Sequence, residues 1–357
     1  MGTVIDRDGM IPEWAPQSGV MVTWPHDRTD WRDDLPNVDA CFARIAREVT
    51  RREVLIAVCR DAEHVELVRA LVTAAGGDPH RLVCPIAPSN DTWARDHGPI
   101  AVRRYGAVRL LDFRFNGWGG KYPADLDDQI TRRIHHQGAF GGSLLESVDL
   151  VMEGGSLEVD GHGTLLTTTS CLLAPTRNPG MDKVTLEAAL HAHLGVNRVL
   201  WLEHGHLEGD DTDGHIDTLA RFTAPHTIAY QACDDRADSH FEPLAAMAEE
   251  LAALRDFEGR AYKLEPLPWP RASYDEVSGR RLPATYANFL IVNGAVLVPT
   301  YGCAADEQAR VVLGRYFPDR EIVPVDCRPL IRNFGSLHCV TMQLPAGIVP
   351  DRSIEAP

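Results

Sequence analysis

Residues 90–99 read Asn-Asp-Thr-Trp-Ala-Arg-Asp-His-Gly-Pro, a run of polar, aromatic and turn-forming residues directly before a short apolar stretch. Loops of this composition often carry functional side chains, whereas the apolar segments around them build the core. Three further segments combine chemically active residues with glycine in the same way: 153–156, 210–217 and 335–339. These four segments are therefore the candidates for a functional site.

One chemically active residue can be taken from each segment: Asp96, Glu153, His215 and Cys339. Their successive intervals are 57, 62 and 124 residues, and 124 is twice 62. If the chain repeats about every 60 residues, each of the four occupies a similar place in its unit. Similar places in a closed ring of units converge on one axis, so the spacing predicts one site built from distant segments.

The apolar pattern between these segments predicts a mixed α/β protein. Helices are expected to begin near five polar residues, at intervals of 64, 57, 57 and 67 residues: Asp61, Asp125, Asp182, Ser239 and Asp306. Short apolar runs predict strands at 54–58, 82–86, 198–202 and 322–325, and Asn293-Gly294 predicts a hairpin turn. No residue-level self-similarity accompanies the interval, so ordinary α/β alternation is the alternative to a true repeat. No linker divides the chain, which predicts one domain over residues 1–357.

Composition and charge exclude several classes of protein. The chain of 357 residues has a net charge of −16, which disfavours binding to the phosphates of nucleic acid and favours small cations. No run of about 18 apolar residues is present, so no membrane span is expected. Residues 1–14 include Asp6, Asp8 and Glu13 and lack the apolar core of a secretion signal, which predicts a cytoplasmic protein. The sequence leaves open an assembly of identical chains.

The segments that contain His215 and Cys339 can be interpreted as strands. Alternation along a strand would place His215 and Asp217 on one face, about 6.6 Å apart, where they could move a proton and anchor a cation. The same alternation would turn His338 away from Cys339, so His338 is not expected to be the base for this thiol. The alternatives are a hydrogen-bonded structural histidine and a buried structural cysteine.

A metal site is a further alternative, because ligand-capable residues are dense around His204, His206 and residues 210–217. A calcium-binding EF-hand loop fails there, since Gly209 and Ala220 occupy its first and twelfth positions. The eight cysteines include no CxxC pair, and no HExxH motif occurs. A hydrolase using a His-x-His metal site remains open, but neither a metal nor a cofactor is expected.

Six motifs occur in order along the chain: Trp-Ala-Arg-Asp-His-Gly-Pro at 93–99, Asn-Gly-Trp-Gly-Gly-Lys-Tyr at 116–122, Glu-Gly-Gly-Ser at 153–156, Gly-His-Ile-Asp at 214–217, Tyr-Ala-Asn-Phe at 286–289 and His-Cys at 338–339. In these motifs the chain resembles the agmatine deiminase and bacterial peptidylarginine deiminase family. The resemblance extends from about Thr23 to Gln343, in matching order. The resemblance implies a pentein fold, an α/β propeller of five ββαβ units in a ring around a central active site.

The resemblance also implies roles for individual residues. Cys339 would be the nucleophile and His215 the acid and base, while Asp96 and Asp217 would clamp a guanidinium group. Supporting residues in contact with substrate would be Glu153, Asp211 and Asn288. Trp93 and Trp118 are expected as pocket walls or core, and Lys121 and Tyr122 as surface residues.

The implied reaction is hydrolysis of a small guanidine, foremost agmatine, to a ureido product and ammonia through a covalent thiouronium intermediate, without metal or cofactor. Residues 334–337, Phe-Gly-Ser-Leu, replace the glycine run usual in agmatine-specific members, so the part of the pocket that meets the substrate tail is expected to differ. Alternatives are a peptidylarginine deiminase, an amidinotransferase, a deiminase for another guanidine metabolite, and a binding module without catalysis.

Overall fold

A computed structural model describes residues 7–350 of the protein. Residues 1–6 and 351–357 of the predicted domain, including Asp6 of the acidic N-terminal segment, lie outside the described residues. The described chain is a mixed α/β protein, as the apolar pattern predicts. Among residues 7–350, no helix combines the length and the apolar character needed to cross a membrane.

The strands of the described region are short and are distributed along the whole chain. In chain order they are β1 (Gly9–Met10), β2 (Gln17–Thr23), β3 (Val54–Val58), β4 (Leu82–Val83), β5 (Ile100–Arg104), β6 (Ala107–Arg114), β7 (Leu144–Val151), β8 (Glu158–Val159), β9 (Thr164–Thr168), β10 (Arg198–Leu202), β11 (Ala220–Ala224), β12 (Thr227–Gln231), β13 (Lys263–Leu267), β14 (Ser273–Tyr274), β15 (Arg281–Leu282), β16 (Leu290–Val292), β17 (Ala295–Thr300), β18 (Glu321–Asp326) and β19 (Met342–Pro345).

The α-helices alternate with these strands. They are α1 (Leu35–Thr50), α2 (Ala62–Ala74), α3 (Ala94–His97), α4 (Gly117–Gly120), α5 (Ile130–His136), α6 (Thr169–Leu172), α7 (Lys183–Leu194), α8 (Phe241–Ala253), α9 (Ala305–Tyr316) and α10 (Arg328–Ile331). Single 3-10 turns occupy Pro79–Arg81, Asp127–Gln129, Gly154–Ser156 and Ile216–Thr218.

Five sheets repeat one connectivity, in which two antiparallel strands are followed by a helix and a third strand parallel to the second. Four of them are consecutive in the chain and contain β5-β6-β7, β8-β9-β10, β11-β12-β13 and β16-β17-β18. The fifth joins the two ends of the described chain, because β19 pairs antiparallel with β2, which runs through α1 into parallel β3. Small strands extend two of the sheets, and β14 and β15 form a separate two-stranded sheet.

The sequence signals for the long helices and the hairpin are confirmed. Asp61 and Asp182 cap α2 and α7 by accepting backbone N–H groups, and Gly195 ends α7 in the left-handed conformation with φ of 64°. Asn293-Gly294 forms the two-residue turn between β16 and β17. The strand predicted at 82–86 is shorter than expected, since only β4 and a single bridge at Ile86 form there.

The helices bury their apolar faces against the sheets. In α1 this face is Val38, Phe42, Ile45 and Val49, all essentially inaccessible to solvent. Helix α3 packs against the 3-10 turn Gly154–Ser156, which in turn packs against Ile216–Thr218. Asp96 lies in α3, and Glu153 and His215 directly precede the two turns, so three residues that sequence spacing predicts to converge lie in this region.

Candidate active site

Asp96 lies in α3, almost fully buried, with each carboxylate oxygen held by a different segment. Oδ1 accepts the backbone N–H of Gly155 at 3.0 Å, and Oδ2 accepts the indole N–H of Trp118 at 3.0 Å. Two rigid donors therefore fix the orientation of this carboxylate, and the 93–99, 116–122 and 153–156 segments meet at one residue.

His215 lies between two carboxylates. Its Nδ1 is 3.6 Å from Asp96 Oδ1 and its Nε2 is 4.0 Å from Glu153 Oε2, and neither ring nitrogen has a hydrogen-bond partner. A β-carbon on Gly155 would lie 2.5 Å from His215 Nδ1, so only glycine permits this approach. The predicted convergence of His215 with Asp96 and Glu153 is confirmed.

The interpretation of residues 215–217 as a strand is wrong. His215 precedes the 3-10 turn Ile216–Thr218, and that turn carries Asp217. The sequence His-Ile-Asp alternates polar and apolar residues, but Gly214 with φ of 88° redirects the backbone just before it. Local alternation could not distinguish this turn from a strand.

Glu153 is completely buried beside His215 and is held by an equally buried arginine. Arg177 Nε donates to Glu153 Oε1 at 3.1 Å, and the same guanidinium pairs with Asp213 and donates to the carbonyl of Thr212 at 2.8 Å. Glu153 Oε2 has no hydrogen-bond partner and faces His215 Nε2. One oxygen is thus structural, and the other is directed toward the imidazole.

Cys339 belongs to a turn of residues 337–340, called here the Cys339 turn, and the prediction of a strand at this position is wrong. Asn288 anchors this turn, since its Oδ1 accepts the backbone N–H of His338 at 2.8 Å and of Cys339 at 3.3 Å. The thiol sulfur lies 3.2 Å from Asn288 Nδ2 and 3.7 Å from Asp217 Oδ2. Asn288 therefore contacts the thiol directly.

His338 does not contact the thiol, in agreement with the sequence analysis, although the reason is not strand alternation. Its Nδ1 hydrogen-bonds to Asp217 Oδ2 at 2.7 Å and its Nε2 to Glu13 Oε1 at 2.7 Å. Both ring nitrogens are thereby occupied. His338 therefore fixes Asp217 through Oδ2, while the other Asp217 oxygen, Oδ1, has no hydrogen-bond partner.

Burial shifts the pKa values of Asp96, Cys339 and His215 so that each favours its uncharged form. Burial, then the charges of Asp217 and Glu153, raises the pKa of Asp96 well above its usual range. Burial, then Asp217 and Asp96, likewise raises the pKa of the Cys339 thiol well above its ordinary value. Burial lowers the pKa of His215 to about 3. Burial is the largest cause of each shift, and the closeness of several carboxylates adds to it for Asp96 and Cys339.

Asp217 is the exception among these acids. Burial opposes its ionisation, but the hydrogen bond and positive charge of His338 hold the pKa of Asp217 below its ordinary value. Burial raises the pKa of Glu153 despite its pairing with Arg177. Asp217 is therefore the carboxylate of the site that is best able to remain ionised.

A cavity of about 290 Å³ opens above this cluster. Of the nine residues predicted to catalyse the reaction or to contact substrate, five line this cavity: Trp93, Asp96, Trp118, Asp211 and Cys339. The other four, Glu153, His215, Asp217 and Asn288, are buried directly behind them.

Tyr122 also lines the cavity and donates its hydroxyl to Asp211 Oδ2 at 2.7 Å, so its prediction as a surface residue is wrong. Lys121 is exposed as predicted, and its ammonium group holds the backbone carbonyl of Asp211 at 2.6 Å. These two contacts fix the loop that carries Asp211.

Strained backbone surrounds the cavity. Trp118, Asp213 and Phe334 adopt positive φ angles of 55°, 68° and 70°, which non-glycine residues rarely do. In the 334–337 loop, a β-carbon on Gly335 would lie 2.1 Å from the Trp93 ring. This loop therefore presses directly on a cavity wall, and glycine is required at position 335.

Glu13 is the principal residue that sequence analysis missed. Its carboxylate pairs with Arg95 and Arg221 and accepts the His338 hydrogen bond, in a network that lies behind Asp217. The partners of Glu13 are 82, 208 and 325 residues away, and only an acidic residue in an N-terminal segment was visible in the sequence.

The proposed metal cluster around 204–217 does not assemble. His204 hydrogen-bonds to Glu250 at 2.8 Å, and His206 stacks on His240. Within residues 7–350, the groups whose ligand atoms lie close enough for one metal ion are Glu153-Cys171-His215 and His226-Asp256-Glu258. The first of these adjoins the site and uses two residues already described.

The sequence matches the family model for Porphyromonas-type peptidyl-arginine deiminases over residues 9–345. The chain belongs to this family. A curated relative, the agmatine deiminase of Stutzerimonas stutzeri strain A1501, is 36% identical, with 96% of this chain and 97% of the relative aligned.

Solved structures of deiminases share the fold. A Porphyromonas gingivalis protein provisionally called an arginine deiminase is 52% identical, with a TM-score of 0.89 over 96% of this chain and 100% of the other. The agmatine deiminase of C. jejuni, solved as a C-to-S variant with substrate bound, is 34% identical, with a TM-score of 0.88 over 96% and 97% of the two chains. The deiminase fold thus extends over nearly the whole of each chain.

Proposed function

We propose that this protein hydrolyses the guanidinium group of agmatine to N-carbamoylputrescine and ammonia. The observation that carries the proposal is the meeting of a thiol, an imidazole and two carboxylates beside one cavity: Cys339 and Asp96 line it, and His215 and Asp217 lie directly behind them. The relatives named agmatine deiminase support the choice of substrate.

Asp96 and Asp217 are proposed to clamp the guanidinium. A guanidinium is planar and cationic, and carboxylates make short charge-assisted hydrogen bonds to its forked N–H donors. Asp217 Oδ1 is buried without a partner, which makes it available for such a bond. Asp211 on the cavity wall and Glu153 behind His215 add negative charge around the same cation.

Binding of that cation would prepare the nucleophile. The high thiol pKa arises from burial and from the negative charges of Asp217 and Asp96, and a guanidinium between them offsets both charges. Cys339 then loses its proton, and its thiolate attacks the guanidinium carbon. Asn288 Nδ2, 3.2 Å from the sulfur, stabilises the thiolate.

His215 is proposed as the acid and base of both steps. Since burial lowers its pKa to about 3, the imidazole is neutral and can accept the thiol proton. It delivers this proton to the departing nitrogen, which leaves as ammonia while a thiouronium bond to Cys339 remains. His215 next deprotonates a water molecule that attacks the same carbon. Breaking the C–S bond releases the ureido product and restores the thiol.

The five repeated units are inferred to close into one ring around this site. All four proposed catalytic residues come from turns or short helices at unit ends, and β19 joins β2 across the chain. The single domain, the cytoplasmic location and any assembly of identical chains stay predictions.

The first experiment compares three substrates: agmatine, free arginine and a short arginine-containing peptide. Ureido product and released ammonia are measured for each, with and without a metal chelator. We expect selective turnover of agmatine and no effect of chelator. Turnover of the peptide alone would indicate that the protein deiminates arginine residues in peptides by the same chemistry. Activity that is lost with chelator and restored by zinc would favour a metal mechanism.

Replacing the nucleophile separates catalysis from binding. Cys339→Ala removes the proposed attacking sulfur, so product formation should become undetectable while agmatine still binds, as measured by calorimetry. Substantial turnover by this variant would contradict the assignment of Cys339.

A further inference from the structure

The geometry points to a second cation subsite, centred on Asp91 with Asp127 and Asp30, that binds the ammonium group of the substrate's tail and makes the site selective for dicationic guanidines. This inference rests on the proposed function, because it assigns the far end of the same substrate.

Two neighbouring tryptophans of the cavity lining each hydrogen-bond to a different aspartate. Trp118 directs its indole N–H to Asp96, and Trp93 directs its indole N–H to Asp91 Oδ2 at 2.9 Å. The two rings meet edge to face with centroids 6.4 Å apart. Two carboxylates are therefore held beside one apolar wall, an arrangement that matches a methylene chain between two cationic groups.

Asp91 lacks a hydrogen-bond partner for one of its carboxylate oxygens. Its Oδ1 is buried without a hydrogen-bond partner, the one such side-chain oxygen among the described residues that line the cavity. Burial raises the pKa of Asp91 well above its usual range, and the charges of Asp127 and Asp30 add to this effect. Hydrogen bonding from the indole groups of Trp93 and Trp31 opposes this rise in pKa. An ammonium group would supply both the missing hydrogen bonds and the missing charge.

Asp127 reinforces the subsite without itself being free to bind. It is buried, and its oxygens accept the backbone N–H groups of Asn90 and Asp91. Burial raises its pKa to about 7. Asp30 is exposed at the cavity edge. Asp91 is therefore the specificity-determining residue, and the other two acids strengthen the negative potential.

The same charges disfavour a substrate with a carboxylate on its tail. Free arginine would bring its α-carboxylate toward Asp91, Asp127 and Asp30, and the one arginine among the described lining residues, Arg28, is exposed to solvent. A peptide would present a neutral amide that leaves Asp91 Oδ1 without charge compensation. Agmatine meets the requirement of both ends.

The test compares agmatine with pentylguanidine, in which a methyl group replaces the ammonium. Asp91→Asn should lower kcat/KM for agmatine by about 30-fold or more, because a buried charge pair is lost, while kcat/KM for pentylguanidine changes by less than about threefold. Asp149→Asn is the matched control, since this carboxylate is exposed on β7 and does not line the cavity. Equal losses for both guanidines in Asp91→Asn would overturn the subsite.

Binding to Cys339→Ala separates this inference from the proposed function. Calorimetry should show that adding Asp91→Asn weakens agmatine binding at least about tenfold and leaves pentylguanidine binding nearly unchanged. If the wild-type protein turns over no guanidine but this pattern holds, the subsite stands and the proposed reaction fails. If agmatine is hydrolysed but its binding is independent of Asp91, the reaction stands and the subsite fails.

Discussion

At the scale of single residues, the carboxylate of Glu13 is the most connected group behind the site. It contacts Arg95, Arg221 and His338. His338 in turn hydrogen-bonds to Asp217 at 2.7 Å and so fixes the position of that carboxylate. Arg221 is fully buried and also pairs with Glu158. Charges buried this deeply are tolerated because each has a partner, so removing one partner leaves the others uncompensated.

Glu13→Gln should lower the free energy of unfolding by about 3 kcal/mol near neutral pH, because Arg95 and Arg221 would lose their shared negative partner. Despite its burial, the pKa of Glu13 is held below its ordinary value by Arg221, His338 and Arg95. The stability gained from a lowered carboxyl pKa is present above the unfolded-state pKa of about 4.3 and is lost as the pH falls through the folded-state value. Urea unfolding at several pH values should therefore show the wild type and the variant converging in acid. A constant difference would contradict this account.

Gly155→Ala should lower kcat/KM by about 100-fold or more, since the added methyl group must displace either His215 or Asp96. The new carbon would lie 2.5 Å from the imidazole and 2.9 Å from Asp96 Oδ1. Gly142→Ala is a suitable control, because no atom lies within 4 Å of its added carbon. Steady-state kinetics of both variants provide the measurement, and full activity of Gly155→Ala would mean that this contact does not constrain the site.

At the scale of elements, the residues that define a helix lie next to one another in the sequence, whereas the residues that shape the turns of the site do not. Helices such as α2 and α7 combine an apolar face with an aspartate cap and a glycine end, so both ends could be predicted within a residue or two. The strand predictions for the segments around His215 and Cys339 are wrong. Their turn geometry depends on Gly214 and on the distant anchor Asn288, which adjacent residues do not reveal.

Asp182→Ala should lower the free energy of unfolding by about 1 kcal/mol, the usual effect of removing a helix cap. Asp182 accepts the backbone N–H of Thr185 at 2.9 Å at the start of α7. The cap lies outside the cavity lining, so kcat/KM for agmatine should not change. Asp182→Asn retains an acceptor and should lose only a few tenths of a kcal/mol. Equal destabilisation by both substitutions would indicate a role other than capping.

At the scale of the whole molecule, residues that are spaced about 60 positions apart in the sequence lie close together in the folded protein. The intervals of 57 and 62 residues predicted that Asp96, Glu153 and His215 would meet, and they do so beside the cavity. The contribution of Glu13 could not be predicted, because it follows no repeat and its partners are defined only by the folded chain. The net charge of −16 was visible from the start, and the carboxylates of the cavity share its sign.

This charge should make the capture of agmatine sensitive to salt. Raising the salt concentration from about 10 mM to 100 mM shortens the screening length from about 30 Å to about 10 Å. We expect kcat/KM to fall by about fivefold for agmatine and by less for pentylguanidine, since attraction to the acidic surface grows with substrate charge. Initial rates at low substrate concentration measure this directly. An identical fall for the two compounds would show that long-range attraction does not govern capture.

The pairing of β2 with β19 also determines when the protein can first work during its synthesis. Gln17–Thr23 leaves the ribosome early, but its antiparallel neighbour Met342–Pro345 is translated hundreds of residues later. Until then one edge of an apolar strand stays unpaired and needs protection from other nascent chains. Cys339 emerges just before that last strand. A partly made chain therefore has neither a finished sheet nor the proposed nucleophile, and we expect no activity before translation has passed residue 345.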